Sequence, residues 1–141
     1  MEEEQKPILA RIILEIVGAP KDHVEKVLKL VMDKIEKEQG VKIINGEVFE
    51  AKEIKDKLFS SFAEAELELE STNKLLDFCF DYMPSSIEIL SPTKLSLGAE
   101  NLGNILNDML AKLHKYDLVL KNIHAENILL KREKEQANKN K

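Results

Sequence analysis

The sequence predicts an α+β fold, and three stretches carry that expectation. Residues 7–17 and 60–70 alternate side chains at period two, as strands with two distinct faces do. Residues 102–130 instead repeat at alternating steps of four and three: Leu102, Leu106, Met109, Leu113, Tyr116, Leu120, Ile123, Asn127 and Leu130. No Pro interrupts that run and no Gly follows Gly103, so it reads as one long helix with an apolar seam.

Length and composition bound the rest. The 141 residues suit one domain with an appendage of about 30–40 residues. At 43% hydrophobic and 33% charged, with no Trp, the chain is globular with an aliphatic core. A single cysteine, Cys79, excludes an internal disulfide and every multi-Cys metal motif. A reducing, cytoplasmic setting is the simplest reading. Residues 1–6 are charged and lack a signal peptide's apolar run, and no stretch approaches the roughly 20 apolar residues of a membrane span. The net charge of −5 is uneven: residues 1–98 hold 13 Lys/Arg against 20 Asp/Glu, and residues 99–141 hold 8 against 6. An acidic domain does not attract phosphate backbones, so nucleic acid is not expected as a partner, and with no spanning stretch neither is a membrane.

Taken in order, residues 1–6 form a frayed acidic start. The strand over residues 7–17 puts Ile8, Ala10, Ile12, Leu14 and Ile16 on one face and Leu9, Arg11, Ile13, Glu15 and Val17 on the other. The mixed second face suits a central strand covered fully on one side only. Gly18-Ala19-Pro20 turns the chain, with Pro20 in the opening turn of a helix that runs to about residue 39 and buries Val24, Val27, Leu28, Val31 and Ile35. Gly40 stops it. A second strand occupies residues 41–51. Asn45-Gly46 either closes a tight hairpin or marks a bulge; the bulge is preferred, with residues 52–57 as the true connection, because they are more polar and a long strand follows. In that strand Ala63, Ala65, Leu67 and Leu69 oppose Glu64, Glu66, Glu68 and Glu70. Ser71 caps a helix with Leu75, Leu76, Cys79, Tyr82 and Met83 inside. Pro84 ends it, and residues 86–90 make a last short strand.

The order βαββαβ resembles the ferredoxin-like split βαβ arrangement: an antiparallel sheet, first and third strands central, helices on one face. The organisation expected is a frayed acidic start at 1–6, a ferredoxin-like domain at 7–91, a linker at 92–98, an association helix at 99–133 forming a coiled-coil-like arm, and a polar tail at 134–141. Within the arm, Leu106, Leu113, Leu120 and Asn127 take the a positions and Leu102, Met109, Tyr116, Ile123 and Leu130 the d positions. A single Asn at an a position fixes register in a parallel two-stranded coil, at some cost in stability. Across such a dimer Lys112 meets Asp117 and Glu126 meets Lys131. Leu118 and Leu129, with Ala111 and Ala125, form a second, weaker stripe, which leaves open packing of the helix on its own domain.

Other constellations are weaker. The carboxylates of Glu64, Glu66, Glu68 and Glu70, about 6.5–7 Å apart along a strand, offer an acidic patch for a divalent cation or a basic partner. A solvated sheet face with Arg11 as counter-charge is the plainer reading, because a flat ladder lacks the convergence of a metal cage. The loop Gly18, Lys21, Asp22 and His23 resembles in layout the ligand-receiving loops of ACT domains, and a helix start favours anions. Cys79, among Leu75, Leu76, Phe78 and Phe80, reads as an inert core thiol. His23, His114 and His124 read as surface residues, and no catalytic triad, phosphate loop or nucleotide fingerprint is present. No cofactor and no metal are expected. The function expected is non-catalytic: a homodimer or higher homo-oligomer serving as an interaction, scaffold or regulatory module, with another protein as a further partner. An ACT-like small-ligand sensor is the alternative, and a metal-dependent enzyme on the acidic face comes third.

Overall fold

In a computed structural model, which describes residues 6–140, the chain is a mixed α+β protein. It divides into two compact units, one up to Gly98 and one from Ala99 onward. The first unit runs β1 (Ile8–Gly18), α1 (Lys21–Glu36), β2 (Val41–Val48), β3 (Lys52–Lys55), β4 (Leu58–Leu69), α2 (Thr72–Tyr82) and β5 (Ser86–Ser91); the second is α3 (Ala99–Lys139). The described strands form one five-stranded sheet in the order β2-β4-β1-β5, with β3 also paired to β4. Every strand pair is antiparallel.

The alternation read from β1 and β4 decides how the sheet buries itself. Ile8, Ala10, Ile12 and Leu14 are buried on β1, as are Ala63, Ala65, Leu67 and Leu69 on β4. Their pairing brings the two sets together on one face: Ile8 opposite Leu69, Ala10 opposite Leu67, Ile12 opposite Ala65 and Leu14 opposite Ala63. Against that face α1 lays Leu28 and Ile35, and α2 lays Leu75 and Phe78, in one hydrophobic core. Burying an aliphatic or Phe side chain of this size contributes about 1.5–3 kcal/mol. Phe78 is central, stacked on Tyr82 at 4.8 Å between ring centroids. Met83, expected inside, is instead 64% exposed, because it takes a left-handed conformation (φ 46°) at the helix cap and turns away before Pro84.

Helix ends follow local chemistry. Ser71 Oγ accepts the Lys74 N–H at 3.1 Å and so caps α2. Pro20 is the N-cap of α1, not part of its opening turn, and without a polar side chain it makes no cap hydrogen bond. α1 closes at Glu36, earlier than the periodicity suggests, when the Glu38 N–H turns onto the Ile35 carbonyl at 3.0 Å. Gly40 (φ +82°) then reverses the chain into β2.

Residues 52–57, read as a polar connection, form β3 and a hairpin turn. Asp56 and Lys57 both take positive φ, 37° and 67°, the geometry of a two-residue turn whose twist matches the strands. β2 and β3 therefore lie end to end along β4, at its Ala63–Leu69 and Leu58–Ser60 portions respectively. The bulge expected near Asn45-Gly46 is present as a register shift between Ile43 and Asn45. The break between β2 and β3 is satisfied from elsewhere: Phe49 N–H donates to Phe62 O at 2.8 Å, Ser61 Oγ donates to Phe49 O at 2.8 Å, and Ala51 N–H donates to the Glu25 carboxylate at 3.0 Å. Buried backbone groups without partners would cost too much to persist.

α3 is 41 residues long, about 60 Å at 1.5 Å per residue. It continues to Lys139, through residues read as part of a polar tail.

Two glycines give opposite expectations. A Cβ at Gly40 would lie 2.7 Å from the Glu70 carboxyl carbon, in a backbone region unfavourable to L residues, whereas one at Gly103 meets nothing within 4 Å. Gly40→Ala should destabilise by about 1–2 kcal/mol, and Gly103→Ala should stabilise by about 0.5–1 kcal/mol. Equilibrium urea unfolding of the two variants checks both signs.

Candidate functional site

Three surfaces were legible in the sequence, and the structure treats them differently. The first is the seam of α3. Among the described residues of this helix none is buried. The seam leucines Leu113, Leu120 and Leu130 are 53%, 65% and 63% exposed, and Tyr116 and Ile123 are also exposed. Off the seam, Leu110, Leu118, Val119, Ile128 and Leu129 are exposed as well, so the helix carries apolar side chains well around its circumference. Asp117 is held by Lys121 one turn on at 2.8 Å. A pair so exposed contributes only tenths of a kcal/mol and leaves Asp117 free to exchange partners.

The second surface is the sheet face away from α1 and α2. Across four strands, Cα partners align Asn45, Glu66, Arg11 and Glu88 in one row. The Arg11 guanidinium donates to Glu66 at 3.1 Å and to Glu88 at 3.3 Å, and its Nε lies 3.8 Å from Glu64. Asn45 Nδ2 donates to the other Glu66 oxygen at 3.1 Å. The hydrogen bond from Arg11, helped by that from Asn45, holds the Glu66 carboxyl below the usual carboxylate range. Glu66 in turn raises Arg11 above its already high value. Arg11, Asn45, Glu47, Glu64 and Glu66 rim a depression of about 280 Å³. Glu70 does not belong to this ladder: β4 ends at Leu69, and the Glu70 N–H turns to the Gly40 carbonyl at 3.0 Å. Among the described residues no group of three or more His, Cys, Asp or Glu is placed to hold a metal ion.

The third surface is the start of α1. Gly18 closes β1, Lys21 opens the helix, and Asp22 and His23 are exposed. Lys21 is ion-paired with Glu50, which raises its pKa, assisted by Glu25 and Asp22. The positive end of the helix thus already faces carboxylates, which makes it a poor site for a further anion. Cys79 is half-buried, and desolvation pushes its thiol upward, away from the thiolate a nucleophile needs.

A family model, MJ0538, matches residues 9–140, spanning both units. The chain belongs to the MJ0538 family. No curated protein and no solved structure matches it significantly. No helix among the described residues is long and apolar enough to cross a membrane.

In this MJ0538-family chain, one polar node had no sequence signal. Glu38, in the turn after α1, accepts from the Tyr82 hydroxyl at 2.7 Å and from Lys74 at 3.0 Å, both on α2. Residues 36 and 44 positions apart cannot be matched without the fold. The Tyr82 and Lys74 hydrogen bonds hold Glu38 below its ordinary value of 4.5. Burial first, and the Glu38 carboxylate second, push Tyr82 up to about 12.

The signs of the two shifts differ. A lowered carboxylate stabilises the fold above the unfolded-state value and loses that contribution as pH falls through its folded value. A raised phenol stabilises below about 10 and loses it as pH climbs toward about 12. Glu38→Gln should therefore flatten the fall in Tm on acidification below about pH 4.5. Tyr82→Phe should flatten the alkaline fall. Thermal scans against pH check both; slopes equal to the parent protein's would refute the coupling.

Proposed function

We propose that this chain is a non-catalytic, self-associating module: a ferredoxin-like unit carried on a helix that pairs with the same helix of a second copy. The ferredoxin-like reading draws support from inner strands β1 and β4, outer strands β2 and β5, and two helices sharing one core face. The observation that carries the association is the seam, a heptad repeat over four turns of the pattern whose leucines are all exposed, Leu113, Leu120 and Leu130 by more than half. Water-exposed leucines at that spacing are stabilised when a second helix covers them.

A parallel pair satisfies the polar positions best. Asn127 meets its own mate, the one a-position contact in which an amide can both donate and accept. Lys112 faces Asp117 and Glu126 faces Lys131, while Ile105 covers Leu110. The acidic outer sheet face and the carboxylates around Lys21 favour protein or basic partners over phosphate-bearing ones. The role that follows is an interaction, scaffold or regulatory module within a larger assembly.

Light scattering tests the association. The parent chain should have a mass that is a multiple of 16.1 kDa, Leu120→Asp should run as the 16.1 kDa monomer, and Asn127→Leu should melt higher while populating more than one oligomer. A parent protein of single-chain mass would overturn the proposal.

A further inference from the structure

The two edges of the sheet are built differently. β2 carries the register shift between Ile43 and Asn45, includes Gly46, and presents Lys42 and Glu47. Such devices discourage a further strand. Among the described strands β5 has a single neighbour, β1, and it contains no Lys, Gly or Pro. Its ladder is regular from Ser86 to Ile89 and becomes irregular only beyond Ile89. Ile87 pairs with Ile12 and Ile89 with Ala10, both buried, yet Ile87 and Ile89 are 40% and 43% exposed. Among the described residues, the outer edge of β5 therefore offers unpaired backbone groups beside uncovered apolar side chains.

We infer that β5 pairs antiparallel with β5 of a second copy, about a twofold axis at Ile87, to make one sheet that continues across both chains. This rests on the proposed parallel pairing of α3. A strand meeting itself about an axis perpendicular to the sheet keeps both faces aligned, so residue partners must share a face. Centring on Glu88 would oppose two carboxylates. Centring past Ile89 would run into the irregular end. Centring on Ile87 sets Ile87 against its mate and Glu88 opposite Ser86, whose hydroxyl can donate to it.

The occupant is a second copy because of how the chain is strung. β5 ends at Ser91 and α3 begins at Ala99, a link of at most about 29 Å. With Ile87 on the axis, each Ser91 lies about 13 Å from it, well inside the length of that link. A short strand pair is weak by itself, with each backbone hydrogen bond contributing about 1 kcal/mol. Tethering by paired α3 helices raises the local concentration to the millimolar range.

Cross-linking of full-length chains carrying Cys79→Ala tests this. Partners across an antiparallel pair have Cα atoms about 4.5–5.5 Å apart, within disulfide range. Under mild oxidation Asn127→Cys and Ile87→Cys should each give covalent dimer, and Glu88→Cys should lag by about tenfold or more. If Asn127→Cys links and Ile87→Cys does not outpace Glu88→Cys, the strand pairing is wrong and the helix pairing stands. If neither Asn127→Cys nor Ile87→Cys links, both fall. Amide exchange on chains without new cysteines is a second reading: the β5 amides should exchange at least about tenfold faster in the Leu120→Asp monomer than in the parent protein. Equal rates would overturn the inference.

Discussion

The pairing of β1 with β4 is the constraint on which the first unit depends. Both strands sit inside the sheet, and their register commits one face to Ile, Leu and Ala and the other to Arg11 and a row of glutamates. A slip of one residue would bring Arg11, Glu64 and Glu66 under the helices and put Ile12 and Leu67 into water. The cost of burying unpaired charge there is far larger than any gain from an alternative ladder. The Arg11–Glu66 pair on the outer face confirms that register from the polar side.

Around this frame the irregular segments are tied down by side chains. Glu25 accepts the Ala51 N–H and Ser61 donates to Phe49 O, so the interrupted strand β2/β3 leaves its backbone partnered at the break. Glu38 fastens the end of α1 to α2 through Tyr82 and Lys74. Gly40 permits the reversal between α1 and β2 that any other residue would strain. Each is a local answer to a problem set by the β1–β4 ladder.

The second unit follows the opposite logic. α3 buries none of its described residues, and its leucines face outward along a heptad. The hydrophobic effect that organises the first unit inside one chain is, in our reading, satisfied for the second by another chain. On that proposal, the same chemistry would divide between folding and assembly along a single sequence.

What the residues determine by themselves is periodicity. Period two in β1 and β4 named the buried residues Ile8, Ala10, Ile12, Leu14, Ala63, Ala65, Leu67 and Leu69, and the spacing of Val24, Leu28 and Ile35 named the inner face of α1. Ser71 as a cap and the bulge near Asn45 were also legible, because each is a property of a few adjacent residues. What only the tertiary structure decided is which distant residues meet. β3 hid in a charged segment, Glu70 left its ladder for Gly40, Phe78 is buried in the core while Met83 is exposed, and Asn45, Glu66, Arg11 and Glu88 aligned in one row. Side-chain alternation records which way a residue points but not what stands opposite it. Strand register and chain reversal supply that, and both arise from contacts between residues far apart in sequence.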